Sequence, residues 1–251
     1  MSNKREREKR REQRLAEESK AGSKDRRTRL LQLGAGAAFL AVVIVAVLIV
    51  LSGGSDDGGD TKLEGVDVVN EELAGIPEKG LVLGDPKAPV EVIEWGDLQC
   101  PACKAYSEEI LPQVIEGQVA QGQAKIAFRN FTIIGPQSTP AGAAALAAGE
   151  QGRGWHFIDI FYKNQGVENS EYADDEFLTT IAKNAGVEDI AKWNKERETL
   201  TAEVERTSEE AQQLGLSSTP SFAIKGPSTN GMELITISSP EELESAIDAA
   251  S

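Results

Sequence analysis

Cysteine is scarce in this chain, with two among 251 residues, and histidine is scarcer still, with one. A closed structural zinc site wants four Cys or His ligands, so these three would need a carboxylate or a second chain to build one. No metal site and no cofactor is expected. Basic residues are in deficit: 26 Lys and Arg stand against 41 Asp and Glu, a net charge of −15. That surplus argues against nucleic acid as a partner. No internal repeat is evident. The one long apolar run is followed by Ser52-Gly53-Gly54-Ser55, with no clear A-x-A cleavage pattern, so it does not read as a cleaved signal peptide.

That run is Leu30 to Leu51, 22 residues with Gln32 as the one polar side chain and no charge. At about 1.5 Å per residue it is long enough to cross a bilayer core, and it predicts an uncleaved transmembrane anchor. Charge sets its direction. Residues 1–29 carry 12 Lys and Arg against 6 Asp and Glu, net +6, which leaves −21 for the remainder. By the positive-inside rule the N-terminus is cytoplasmic and the large C-terminal part lies outside, where disulfides persist. The organisation expected is a basic tail at 1–29, an anchor at 30–51, a Gly/Asp-rich linker and lead-in at 52–80, and a folded domain at 81–251. At 40% hydrophobic content the chain holds enough apolar material for one core.

Both cysteines fall in Cys100-Pro101-Ala102-Cys103, three apart, where one helical turn brings two thiols within disulfide reach. Val90 to Trp95 alternates and is rich in β-branched residues, which predicts a strand, and Gly96-Asp97 ends it. Lys104 to Gly117 places Tyr106, Ile110, Leu111 and Ile115 at helical spacing, so Cys100 sits at a helix start. Unpaired N–H groups and the positive end of the helix dipole there favour thiolate over thiol. Pro101 suits a first-turn position because its missing N–H would have had no partner. A structural bridge across so short a loop would remove little unfolded-state entropy, roughly 2 kcal/mol, a poor staple for a domain of this size. Thiol–disulfide exchange is the chemistry that a strand–CxxC–helix arrangement suits.

Further along, Ala124 to Phe131 predicts a second strand, completing a βαβ unit. Thr139–Gln151, Trp155–Tyr162, Glu176–Asn184 and Asp189–Leu214 read as helices, an inserted helical subdomain at about 138–216. Strands return at Ser221–Lys225 and Met232–Ser238, joined as a hairpin, and Ser239 caps a last helix. The lone His156 lies among Trp155, Phe157, Ile158 and Phe161, which describes a packing face rather than a catalytic one. Asp97 is expected to cap the helix that follows it.

This order resembles the DsbA-like branch of the thioredoxin superfamily, carried most specifically by Glu94-Trp95-Gly96-Asp97-Leu98-Gln99-Cys100-Pro101-Ala102-Cys103 and Ser218-Thr219-Pro220-Ser221-Phe222. The resemblance covers roughly residues 80–251 and implies a thioredoxin-like α/β fold with an inserted helical subdomain. It also implies that Cys100 is the exposed attacking thiol, Cys103 the buried resolving thiol and Pro220 a cis proline facing them. Thr219 backbone groups would pair with an extended substrate, with Pro101 and Ala102 also contacting it. Glu94 would be a buried acid relaying a proton to Cys103. It shares a strand face with Val90 and Val92, which favours burial, though an ordinary exposed glutamate near a strand end is the alternative. The Pro-Ala dipeptide departs from the histidine-containing one of the most oxidising DsbA-like proteins.

The expected function is thus a membrane-anchored, extracytoplasmic thiol–disulfide oxidoreductase, an oxidase passing the Cys100–Cys103 disulfide to reduced secreted or cell-envelope proteins. By the resemblance, a quinone-linked membrane partner of the DsbB or vitamin K epoxide reductase type would reoxidise it. A reductase or isomerase of the same fold is the second possibility, although isomerases usually carry a dimerisation domain and residues 52–80 are too few for one. A redox-inert thioredoxin-like binding or chaperone module is the third.

Overall fold

A computed structural model describes residues 63–251; the tail expected at 1–29, the anchor expected at 30–51 and the linker before Leu63 lie outside the described residues. Among the described residues no helix is long and apolar enough to cross a membrane. Within the linker and lead-in expected at 52–80, the chain is folded from Leu63 onward. Val66, Val69 and Leu73, at helical spacing, drive helix α1 (Val66–Glu72) onto the core, with Val69 fully buried. Strands β1 (Glu78–Lys79) and β2 (Val82–Leu83) follow as a short antiparallel pair.

Next comes β3 (Val90–Gly96), and then the helix that carries the cysteines, α2 (Pro101–Glu109). The single helix expected over 104–117 is interrupted at Ile110, resumes as α3 (Leu111–Val114) and closes in a π-helical turn, Ile115–Val119. Pro112 accounts for the break, since it offers no N–H and its ring crowds the carbonyl four residues back. The crossover ends in β4 (Ala124–Asn130), parallel to β3. Five helices follow: α4 (Ser138–Gly149), α5 (Gly154–Lys163), α6 (Asp175–Asn184), α7 (Ile190–Thr199) and α8 (Thr201–Gln213). The one helix expected over 189–214 is two, divided at Leu200. Thr199 Oγ1 donates to the Glu196 carbonyl there, a local bond that competes with helix continuation. The chain then returns to the sheet as β5 (Ser221–Lys225) and β6 (Glu233–Ile235) and ends in α9 (Pro240–Ala250), capped by Ser239.

The sheet order is β1-β2-β4-β3-β5-β6. Strand alternation divides the centre of β3 between two cores. Val90 and Val92 face the large core, shared with α2–α6 and α9, while Ile93 and Trp95 pack with Phe131, Ala223 and Ala211 of α8 on the other face. Glu94 therefore points into the large core, beneath α2.

Candidate active site

The turn between β3 and α2 aims the first cysteine. Cys100 is the residue before the first helical one, with extended backbone (φ −77°, ψ 120°), and Pro101 opens the helix. Such a residue can direct its side chain back over the free N–H groups of the first turn. Its thiol also donates to the Thr219 carbonyl, 3.4 Å away, from a residue 119 positions later in the chain. The Thr219–Pro220 bond is cis. Cys100, Cys103, Thr219 and Pro220 thus converge at the end of α2 facing β5.

The exposure expected of Cys100 is not what the fold gives: it is 4% exposed and Cys103 is 0% exposed. The segment from Thr219 covers Cys100, and no local pattern could announce a cover so distant in sequence. The two thiols nonetheless differ sharply. A hydrogen bond from the Cys103 thiol lowers the Cys100 pKa from 9.0 to about 6 against the opposing effect of burial, helped by the Thr219 side chain and the Cys103 and Ala102 N–H groups. Burial first, then the sulfur of Cys100 and the charge of Glu94, push Cys103 far above the ordinary thiol range. One thiol is thus mostly ionised at neutral pH and the other holds its proton.

Glu94 is 1% exposed, and its Oε1 has no hydrogen-bond partner. It stands opposite Phe128 on one neighbouring strand and Phe222 on the other, so its surroundings are apolar. Burial raises its pKa well above the carboxylate range, followed by the charges of Asp159 and Cys100. Gly96 makes the space: a Cβ there would lie 3.1 Å from Glu94 Oε1 and collide with the Phe128 ring.

Asp97 does not cap α2. It is fully buried; Oδ1 accepts from the Gln99 N–H, and Oδ2 accepts from the Ile133 and Ile134 N–H groups at 2.8 and 3.0 Å. It ties the turn before Cys100 to the segment after β4. His156 is buried in α5, where Nδ1 lies 2.5 Å from Glu78 Oε1 of β1, a polar tie between helix and sheet rather than the apolar packing contact its neighbours suggest. Pro101 and Ala102 are both exposed. Ala102, with Tyr106, Ile110, Pro220, Phe222 and Ile235, lines an apolar groove of about 580 Å³ between α2 and the β5–β6 hairpin. Thr219 does not line that groove; it lies against the Cys100 thiol instead.

A third buried acid has no counterpart among the residues the sequence singles out. Asp159, in α5, is 5% exposed and accepts from Ser107 Oγ of α2 at 3.0 Å. Burial and then the charge of Glu72 raise its pKa from 3.8 to about 7. The available signal was a lone acid inside the apolar run Trp155 to Tyr162. Among the described residues no cluster of three or more His, Cys, Asp or Glu is placed to hold a metal.

Comparison with known proteins agrees with this geometry. The family profile described as Thioredoxin matches residues 77–249. The probable disulfide bond formation protein D of Bacillus cereus is 31% identical over 153 residues, covering 59% of this chain and 71% of the relative. The disulfide bond formation protein D of Bacillus subtilis is 30% identical over 164 residues, 62% of this chain and 72% of the relative. Among solved structures, oxidised BdbD of Bacillus subtilis superposes with a TM-score of 0.60 at 24% identity, covering 69% of this chain and 95% of the other. MdbA, a thiol-disulfide oxidoreductase from Corynebacterium diphtheriae, gives 0.54 at 20% identity, covering 70% and 93%. These two likenesses speak for the fold.

Proposed function

The chain belongs to the thioredoxin family and is a protein-disulfide oxidoreductase; from that premise we propose that it works outside the cytoplasm, as an oxidase donating the Cys100–Cys103 disulfide to reduced secreted or cell-envelope proteins. The observation that carries this reading is the asymmetry of the thiols, with Cys100 lowered to about 6 and Cys103 raised. A lowered thiol stabilises the reduced state and so makes the disulfide more oxidising. At pH 7, where a thiol of pKa 9.0 would still hold its proton, a value of about 6 stabilises the reduced form by about 1.4 kcal/mol, roughly 30 mV for a two-electron couple.

In this reading a client thiolate attacks Cys100 Sγ, the S–S bond breaks, and the electron pair leaves on Cys103, which takes a proton from the carboxylic acid of Glu94. A second client thiolate then attacks the client sulfur of the mixed disulfide and expels Cys100 as a thiolate. The client has lost two electrons and the enzyme has gained them. For reoxidation, the Cys100 thiolate attacks a disulfide of a quinone-linked membrane partner of the DsbB or vitamin K epoxide reductase type and expels one partner thiolate. Glu94 then takes the Cys103 proton back as Cys103 attacks Cys100 Sγ, re-forms the bond and expels the second partner thiolate, so the two electrons pass to the partner. The groove along Ala102, Pro220 and Phe222 would receive the client as an extended segment, with exposed Pro101 beside Cys100 and the Thr219 backbone groups met at the Cys100 sulfur rather than within the groove. The apolar run at 30–51 would anchor the enzyme by a single span, with the tail at 1–29 inside and the domain outside.

Equilibration of the protein with glutathione buffers, read by thiol trapping and intact mass, tests direction. The expected potential is clearly more oxidising than the thioredoxin value of about −270 mV. A potential near that value would make this a reductase.

A further inference from the structure

We propose that Gln165 is a positioning residue for Cys100: from the end of α5 it fixes the two peptide planes that aim the reactive sulfur. Gln165 Nε2 donates to the Leu98 carbonyl at 2.7 Å and to the Cys100 carbonyl at 3.2 Å. One nitrogen thereby holds the peptide groups on either side of Gln99 and Cys100, and the torsions between those planes decide where Cys100 Sγ points. The thiolate depends on that direction, because the Cys103 and Ala102 N–H groups stabilise it at short range. Leu98 is 1% exposed, so its carbonyl would otherwise be orphaned in the core, at a cost of about 1–3 kcal/mol.

The grip comes from a rigid base. Gln165 follows α5, a helix whose residues from Gly154 to Tyr162 are all buried, and its own N–H donates to the Tyr162 carbonyl. The loop that it starts docks on the same turn a second time. The Asn169 N–H donates to Gln99 Oε1 at 3.4 Å, and Gln99 Nε2 donates to Ser138 Oγ of α4 at 3.0 Å. Asn169 and Glu171 hold positive φ values of 58° and 61°, conformations that a side chain disfavours and a docked loop can impose. The helical insertion therefore clamps the redox turn from above while Asp97 ties it from below.

This inference rests on Cys100 being the reactive thiolate. In Gln165→Met the side chain keeps its length and loses its donor. In the reduced full-length protein, thiolate absorbance against pH should place the Cys100 transition about one unit higher than in wild type, and the glutathione equilibrium should move about tenfold toward the disulfide. Val167→Ser, at the 75% exposed tip of the same loop, should move neither. A Gln165→Met protein that keeps both wild-type values overturns the proposal. Should that variant melt below the assay temperature, the wild type decides: its Gln165 side-chain amide resonances should shift with the Cys100 titration, and resonances flat through that range overturn the proposal too. A wild-type Cys100 that titrates as an ordinary thiol would instead sink the reading of the site on which the proposal stands.

Discussion

A sulfur that is ionised at neutral pH yet almost covered must meet its clients through a narrow approach, and its partner sulfur has no approach at all. This asymmetry decides which variant traps what. Cys103→Ala should accumulate mixed disulfides through Cys100, because Cys103 is no longer there to attack Cys100 Sγ and release the client, whereas Cys100→Ala should accumulate few. Non-reducing gels of client mixtures followed by mass spectrometry read the outcome, and preferential trapping through Cys103 would reverse the assignment. The buried acids make a separate prediction. Asp159, faced by Glu72, Lys163, Glu78 and Ser107, has its pKa raised from 3.8 to about 7. Below about 4 both the native and the unfolded chain hold the proton. As pH rises toward 7 the unfolded chain alone releases it, so native stability falls across that window and the deficit stays constant above it. Asp159→Asn keeps an acceptor for Ser107 and cannot ionise. It should match wild type at pH 4 and be more stable at pH 8, by at most about 4 kcal/mol. Denaturant titrations of the oxidised protein at the two pH values measure this, and an equal effect at both would contradict it.

At the scale of elements, what repeats along the chain was legible and what closes across it was not. The alternation of Val90, Val92 and Glu94 against Ile93 and Trp95 is a local pattern that groups Glu94 with the two valines, and the fold buries that face, where the sequence alone leaves an exposed glutamate open. The stripe of Val66, Val69 and Leu73 is equally local and marks α1. By contrast, the partners of Asp97 are backbone N–H groups 36 and 37 residues away, which no spacing rule announces. The same holds for Gln165, 65 residues from the carbonyl of Cys100. Close contact between elements shows the same non-local character. Gly154, the first residue of α5, packs so near Gly80 that a Cβ would collide with the Gly80 carbonyl and come within 2.8 Å of the Leu81 side chain. Gly154→Ala should therefore push the β1–β2 turn off α5 and cost about 1–3 kcal/mol, the usual range for overpacking. Thermal unfolding checks it, and an unchanged melting temperature would mean that the turn moves freely.

For the whole molecule, direction and place go together, since the exported face of a membrane is where a donated disulfide survives. With residues 1–29 at net +6 and the rest at −21, protease added to cells whose outer wall layers have been opened should degrade everything after Leu51 and spare the tail. Protection of the C-terminal part would place it in the cytoplasm and favour a reductase.

The contact between Cys100 and Thr219 spans 119 residues, with the seven helices α2 to α8 between them. In the anchored reading the domain crosses the membrane in chain order behind residues 30–51, and it presents its two cysteines long before the segment that will cover them. At synthesis rates of about 5–20 residues per second, the delay is roughly 6–24 s. Throughout that interval the pair is an ordinary open dithiol, without the Thr219 contact. If the proposed oxidase reading holds, the enzyme thus begins as a substrate of its own chemistry, and a chain cut short before Thr219 should remain one.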